Sequence, residues 1–336
     1  MEVTPALAAV LAHAVKKGEY VALFDTDRSP SKVDDVLLTT HAKNPQALEA
    51  EQASEVAQLV NGIQSSRVNA PEADTLGALD LAARSVRAQS RHGTVVLMDS
   101  GLQTAGALRY QAAPLLLATG QDVVGHLRST GQLPDLRGVT VILMGIGDTA
   151  RPQARLDIAS RNRLVEQWKA IAQAAGATCV HVDTQPLTGP SSTGLPHVST
   201  VRVPKPTIPE LDSSRPVPLR EDSVGFEDNS DKLRDPALAR RVLKKLAAAI
   251  IRDQHHVLLV GTTATAGTEQ GRRELSLKRA EAVKRLLVSL GVPASRITAR
   301  GVGTHYPAHV KDIDEQGNLI PERAIQNRAV FLSVTR

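Results

Sequence analysis

The sequence predicts an α/β protein in two parts: a doubly wound parallel sheet with helices on both faces, then a smaller α+β unit of order βαβαββ. Three observations point to it. Short apolar runs, several of them β-branched, alternate with helix-like stretches up to about residue 185, the pattern of a parallel sheet wrapped by helices. A proline-dense segment then interrupts the chain, and a second strand and helix alternation follows it. The length, 336 residues, exceeds one ordinary core and suits two. The expected boundaries are 1–203 for the first domain, 204–222 for a Pro-rich linker and 223–336 for the second domain.

In the first part, the strands expected are YVALFD at 20–25, TVVLMD at 94–99, VTVILMG at 139–145 and TCVHV at 178–182, with VLLTT at 36–40 a further candidate. Between them, ALEAEQASEVAQLVNGI and TLGALDLAARSVRAQ have the Ala, Leu, Glu and Gln content of good helices. RLDIASRNRLVEQWKAIAQAAG ends in Gly176 as a helix does, with Trp168 packing on the sheet. The stretch VPKPTIPELDSSRPVP is rich in prolines, which remove backbone donors and favour extended geometry. After it come a strand SVGF, a helix over 236–251, a strand HVLLVG, a second helix opening near an N-cap at Ser276, and two further strands. In that second helix Val283, Leu286, Leu287 and Leu290 form one core-facing stripe, and Gly291 with Pro293 ends it.

Composition limits the function. Hydrophobic residues make up 42% of the chain but aromatic ones only 2%, so the cores are built from Ala, Val, Leu and Ile. Three Phe, three Tyr and one Trp leave little for base stacking, and nucleic acid is not expected as a partner. The net charge of +5 suits anionic surfaces without choosing among them. Cys179 is the single cysteine, which excludes an internal disulfide and a cysteine-rich zinc site. The first residues place their lysines after the apolar stretch, unlike a signal peptide, and no run is apolar enough for a membrane span. A membrane link would therefore come only through an anchor outside this chain.

Chemistry in the second part centres on GTTATAG at 261–267, LSLKRA at 275–280, GVPASRI at 291–297, GVG at 301–303 and NRAVFLSV at 327–334. Arg279 is placed in the first turn of its helix, where backbone N–H groups already favour an anion. These five ordered motifs resemble the OmpA-like peptidoglycan-associating domains of the OmpA, MotB and Pal type. The resemblance implies an α+β fold and a non-catalytic site for the peptidoglycan stem peptide. In such domains the loop Asp takes the ammonium of diaminopimelate and the helix Arg takes a carboxylate. Arg279 holds the second position, while Ala264 replaces the first. The implied peptidoglycan-binding residues are Arg279, Thr263, Ala264, Gly267, Asn327 and Arg328, with binding weakened or altered at Ala264. Glu269 is a candidate substitute acid, and Thr262, Thr263 and Thr265 are candidate neutral donors. Asn327 and Arg328 are expected to tie down loops beside the last strand.

In the first part, YVALFDTDRSPS puts acids and hydroxyls at the end of an apolar strand, where open α/β sheets bind ligands. Oxygen ligands at alternate positions suit Mg²⁺. The stretch resembles the Asp-x-Ser-x-Ser metal loop of von Willebrand factor A domains, over about residues 18–185. That resemblance implies a Rossmann-like sheet and a metal site built from Asp25, Asp27 and Ser29, with Thr75 from a second loop and Asp99 after the next central strand. Ser31 belongs to an alternative register, Asp27, Ser29, Ser31.

No histidine has a nearby nucleophile in a known arrangement, and the DSG after residue 98 lacks the glycine that precedes a strand-end nucleophile. No Gly-rich phosphate cradle accompanies the carboxylates. The expected function is thus not enzymatic: a cell-envelope binding or scaffold protein, its second domain on peptidoglycan and its first on an unidentified protein partner. The alternative is a cytosolic assembly protein that uses both modules for protein contacts.

Overall fold

The computed structural model describes residues 4–89, 92–111, 115–187, 194–212 and 214–335. In chain order the elements are α1 Pro5–Lys17, β1 Tyr20–Phe24, β2 Lys32–Leu37, α2 Pro45–Ser65, α3 Thr75–Gln89, β3 Gly93–Met98, α4 Gly120–Ser129, β4 Val139–Met144, α5 Ile158–Ala174 and β5 Cys179–Asp183. They continue with β6 Val217–Leu219, α6 Pro236–Arg252, β7 His256–Gly261, α7 Glu269–Ser289, β8 Ile297–Gly301, α8 Pro321–Asn327 and β9 Val330–Thr335. The chain divides into two compact units, Met1–Ala112 with Thr130–Val203, and Ala113–Ser129 with Pro204–Arg336. α4 therefore folds with the second unit.

The first unit holds a parallel sheet of order β3-β4-β5. Alternation along the strands separates its faces. Val96, Met98, Ile142 and Met144 pack against Leu7 and Leu11 of α1 and against α2, while the buried Val95, Leu97, Val141 and Leu143 face the other way. α3 lies against β3 and α5 against β5. Trp168 of α5 is fully buried and its indole N–H donates to the carbonyl of Gly101 at 3.0 Å, which fixes the loop after β3.

One strand departs from the sequence expectation. β1 is not in the parallel sheet but pairs antiparallel with β2 as a two-stranded sheet. The reason is local: Asp25 accepts from the hydroxyl of Ser31 at 2.7 Å and from its backbone N–H at 3.1 Å, closing a turn. Asp, Ser and Pro in DTDRSPS are turn residues, and here they reverse the chain instead of feeding a helix. β2 is exposed along its whole length.

The second unit is a four-stranded sheet of order β6-β9-β7-β8, with β7 and β8 parallel and β9 antiparallel to both β7 and β6. α6 and α7 cover it through a core that includes Val242, Leu246, Ile250, Val257, Leu259, Val283, Leu287, Ile297, Val330 and Leu332. Pro218 is accommodated in β6 because that strand lies at the sheet edge. The expected strand SVGF is instead a turn followed by a single bridge from Phe226 to Leu233, and the edge strand falls earlier, inside the segment read as linker.

α7 begins at Glu269, capped by the Thr268 hydroxyl accepting from the Gly271 N–H at 3.1 Å. It therefore starts earlier than the sequence suggested. Ser276 is not its cap but a buried residue within it, donating to the carbonyl of Arg273 at 2.8 Å and accepting from the N–H of Gly303 at 3.0 Å. Gly261 and Gly301 pair across β7 and β8, and both lie against the backbone of α7. Their missing side chains let this helix approach the sheet closely enough to hold Arg279 over the strand ends.

Candidate functional site

A cavity of about 630 Å³ opens in the second unit. Its walls come from the loop after β7, the outer face of α7, the loop 226–231, the start of α4 and Arg328. Thr263, Ala264, Gly267, Arg279 and Arg328 all line it.

Arg279 is the centre of the arrangement. It lies well inside α7, not in its first turn, so the helix N-terminus does not assist it. The residue is 5% exposed. Its guanidinium stacks over the ring of Phe226 at 5.1 Å, and Nε donates to the carbonyl of Ser230 at 3.0 Å. The loop from Phe226 to Ser230 thus wraps the side chain. Burial pulls the guanidinium down to about 10, with Glu221 and Asp228 pulling it back up and Arg328 and Arg234 lowering it further. It stays charged near neutrality. Among the described residues no carboxylate lies within ion-pair distance of Arg279, whereas two of the cavity acids, Glu221 and Asp231, are paired to Arg234 at 3.1 Å and to Arg285 at 2.9 Å.

Arg328 has a different fate. Both of its terminal nitrogens donate to the carboxylate of Asp122, in α4, and the pair is almost fully buried. Asp122 also accepts from the N–H of Thr119 at 3.0 Å and from its hydroxyl at 2.8 Å, while Thr119 Oγ1 accepts from the N–H of Asp122 at 3.2 Å. That reciprocal pattern caps α4. Burial raises the Asp122 carboxyl, but Arg328 and Thr119 outweigh it and hold the group below the usual carboxylate range. The same carboxylate and its neighbours raise the Arg328 guanidinium against its burial. Sequence reasoning missed Asp122; the signal was the Thr-x-x-Asp of TGQD ahead of VVGHL.

Asn327 fastens the loop before α8. Its side-chain oxygen accepts from the N–H of Val310 at 2.9 Å, and its amide donates to the carbonyl of Val310 at 2.7 Å and to Asp312 at 2.9 Å. Asp312 in turn accepts from the N–H of Thr265 at 3.0 Å, fixing the loop after β7. Thr262 donates to the carbonyl of Asn327 at 2.6 Å. Ala264 is buried against the cavity, and the Thr263 hydroxyl beside it is buried without a hydrogen-bond partner. Gly267 takes a left-handed φ of 69°. Glu269 does not line the cavity; it pairs with Arg273 at 2.7 Å on the exposed side of α7.

In the first unit the proposed metal residues come together only in part. The hydroxyl of Thr75 donates to Asp99 at 3.0 Å, joined by Thr26 at 3.3 Å and the N–H of Gly101 at 2.6 Å. Burial raises the Asp99 carboxyl, against those hydrogen bonds. Asp25 is engaged by Ser31, and Asp27 accepts from the N–H groups of Asn69 and Ala70 at 2.9 and 3.1 Å. Ser29 is exposed in the turn. Among the described residues no three His, Cys, Asp or Glu side chains are grouped so as to hold an ion, so Asp25 and Asp27 do not complete a carboxylate cluster with Asp99. One oxygen of Asp27 is buried without a partner.

Comparison with known proteins bears on the second unit. Residues 225–318 match the model of the OmpA family. Among solved structures, the chain is similar to the peptidoglycan-associated lipoprotein of Burkholderia pseudomallei, at 30% identity over 33% of this chain and 88% of that one, with a TM-score of 0.28. It is also similar to the cell wall anchor of the T6SS of Pseudomonas aeruginosa, at 26% identity over 35% and 79% of the two chains, TM-score 0.29. The periplasmic domain of Helicobacter pylori MotB matches at 19% identity over 35% and 73%, TM-score 0.29. No curated protein matches the chain. Within the second unit, residues 225–318 therefore form an OmpA-family domain.

Proposed function

We propose that the protein is a non-catalytic cell-envelope binding or scaffold protein whose second unit contacts the peptidoglycan stem peptide through Arg279. One observation carries this: a buried guanidinium lining an open cavity, wrapped by its own loop yet lacking a protein carboxylate. A buried cation of this kind is costly unless paired, and a ligand carboxylate pairs it. The OmpA-family match over 225–318 supports the same ligand class. The other residues serve the grip: Thr263 offers a free hydroxyl, Ala264 and Gly267 shape the loop, and Asn327 and Arg328 hold the walls.

Titration calorimetry of the full chain with a soluble muramyl tripeptide ending in diaminopimelate tests the reading. Arg279→Ala is expected to weaken binding at least tenfold, the loss of a charge-assisted hydrogen bond. Equal affinity of the variant and the parent would remove Arg279 from the site.

The first unit we propose to be a von Willebrand A-like module for protein contacts. Its support is the meeting of Thr75 and Asp99 at the end of β3. Bound Mg²⁺ would be held there by Thr75 and Asp99 and would supply a charge for a partner's carboxylate. A ligand that binds only the folded state raises the unfolding temperature. Added Mg²⁺ should therefore raise the thermal midpoint of this unit and EDTA reverse it; a midpoint indifferent to both would leave the unit metal-free. No helix of the described residues is long and apolar enough to cross a membrane.

A further inference from the structure

The solvent face of α6 carries charge of one sign. In PALARRVLKKLAAAIIR the residues Val242, Leu243, Leu246, Ala247 and Ile250 are buried in the core of the second unit. Arg240, Arg241, Lys244, Lys245 and Arg252 fall on the opposite side at helical spacing, all of them exposed, and no acid occurs between Pro236 and Arg252. The cationic stripe runs about 18 Å along the helix.

Little of this charge is neutralised within the protein. Among the described residues Arg241, Lys244 and Lys245 have no ion pair, Arg252 pairs with Asp253 at 2.7 Å, and Arg240 donates to the Ser289 hydroxyl at 3.2 Å. Asp235, the acid before the helix, is engaged as its N-cap and accepts from the N–H of Leu238 at 2.9 Å. Arg240 with Lys244, and Arg241 with Lys245, are like charges at i, i+4, which destabilise a helix. Packing against the core therefore holds α6, and an anionic surface laid over the stripe would relieve the repulsion.

The surroundings select the partner. Ile251 is exposed next to Arg252, and a methyl on Gly291 would lie 3.5 Å from its Cδ1, which places it beside the end of α7, where Val288 is exposed too. Exposed aliphatic groups among cations suit the boundary between headgroups and acyl chains. A nucleic acid would find no aromatic ring on α6 for a base to stack on. Because its apolar face is buried in the core, the helix can lie on a bilayer but not sink into it.

We propose that α6 docks the second unit on an anionic phospholipid surface, with its cationic stripe against the headgroup phosphates. This contact is peripheral, requires no spanning helix and involves none of the residues at the Arg279 cavity.

Co-sedimentation of the full chain with lipid vesicles tests the assignment. The parent is expected to pellet with vesicles of equimolar phosphatidylcholine and phosphatidylglycerol, to stay in the supernatant with phosphatidylcholine alone, and to be released by high salt. A Lys or Arg near an anionic bilayer contributes about fivefold in affinity, so Arg241→Gln, Lys244→Gln and Lys245→Gln combined should weaken binding about a hundredfold. Lys16→Gln, Lys17→Gln and Lys43→Gln combined remove the same charge from exposed positions of the first unit and should leave binding as in the parent. Unchanged thermal midpoints show that both variants are folded. Equal losses in the two variants would make net charge, not the stripe, responsible and overturn the assignment. Equal binding to neutral vesicles overturns it as well, as does a parent that ignores both vesicles, whether or not it binds duplex DNA through the same three residues. The vesicles contain no peptidoglycan, so any of these failures leaves the reading of Arg279 standing.

Discussion

Asp122→Ala is expected to destabilise the second unit by about 3–5 kcal/mol, because it leaves the Arg328 guanidinium buried and unpaired. The two groups meet in a bidentate, almost fully buried pair, and the same carboxylate caps α4 through Thr119. The loss is larger than a surface ion pair allows, since exposed pairs contribute only about 0–1 kcal/mol. Urea unfolding should show a lower midpoint for the transition of the second unit, and hydrogen exchange should show α4 opening first. Arg328→Met combined with Asp122→Leu should recover much of the loss, as apolar replacement of a buried pair often does. A single substitution that costs under about 1 kcal/mol would mean the pair is solvated in solution.

The pair also sets a pH dependence. Burial alone would raise Asp122, but Arg328 and Thr119 prevail and hold it below the usual range. A carboxyl depressed in the folded state stabilises in full above its unfolded value of about 3.9. That contribution disappears as pH falls through the lower folded value. Acid unfolding of the second unit should therefore begin at higher pH in Asp122→Ala only to the extent that other acids are paired, with its stability flatter than that of the parent through this window.

The second large effect is expected from Gly261→Ala. A methyl at that position would stand 1.9 Å from the backbone carbonyl oxygen of Ser276, with no flexible side chain to yield. Its partner in register, Gly301, is as tight, 2.3 Å from the N of Leu277 and 2.5 Å from the carbonyl oxygen of Arg273. One methyl would push α7 away from β7 and β8 at the height of Arg279. A cost of about 3 kcal/mol or more follows, the upper end for overpacking, together with loss of ligand binding as the guanidinium moves. Gly125→Ala in α4 is the control, since its methyl meets open space; helix propensity makes it neutral or stabilising by about 0.5–1 kcal/mol. Equal stability of Gly261→Ala and the parent would disprove the close approach.

What was legible in the sequence follows the range of the interactions. α3 occupies the residues expected from TLGALDLAARSVRAQ, and β3, β4 and β5 form where apolar runs of strand length were found. Local chemistry misled where two signals competed. Ser276 looks like an N-cap, yet Thr268 takes that role because its hydroxyl reaches the Gly271 N–H. YVALFD looks like a sheet strand, yet its following turn residues fold it into a hairpin. β6 was hidden by Pro218, which only an edge strand tolerates. Legible as neighbours at one cavity were Arg279, Thr263, Ala264 and Gly267, which one loop and one helix carry. Asp122 was not, because it meets Arg328 across 206 residues and no local pattern reports such a pairing.

The most direct test is co-sedimentation of the full chain with purified peptidoglycan sacculi, comparing the parent with Arg279→Ala. The parent is expected to pellet with the sacculi and Arg279→Ala to stay in the supernatant. A parent chain that stays in the supernatant, or a variant that pellets as the parent does, would contradict an envelope protein that grips peptidoglycan through this arginine.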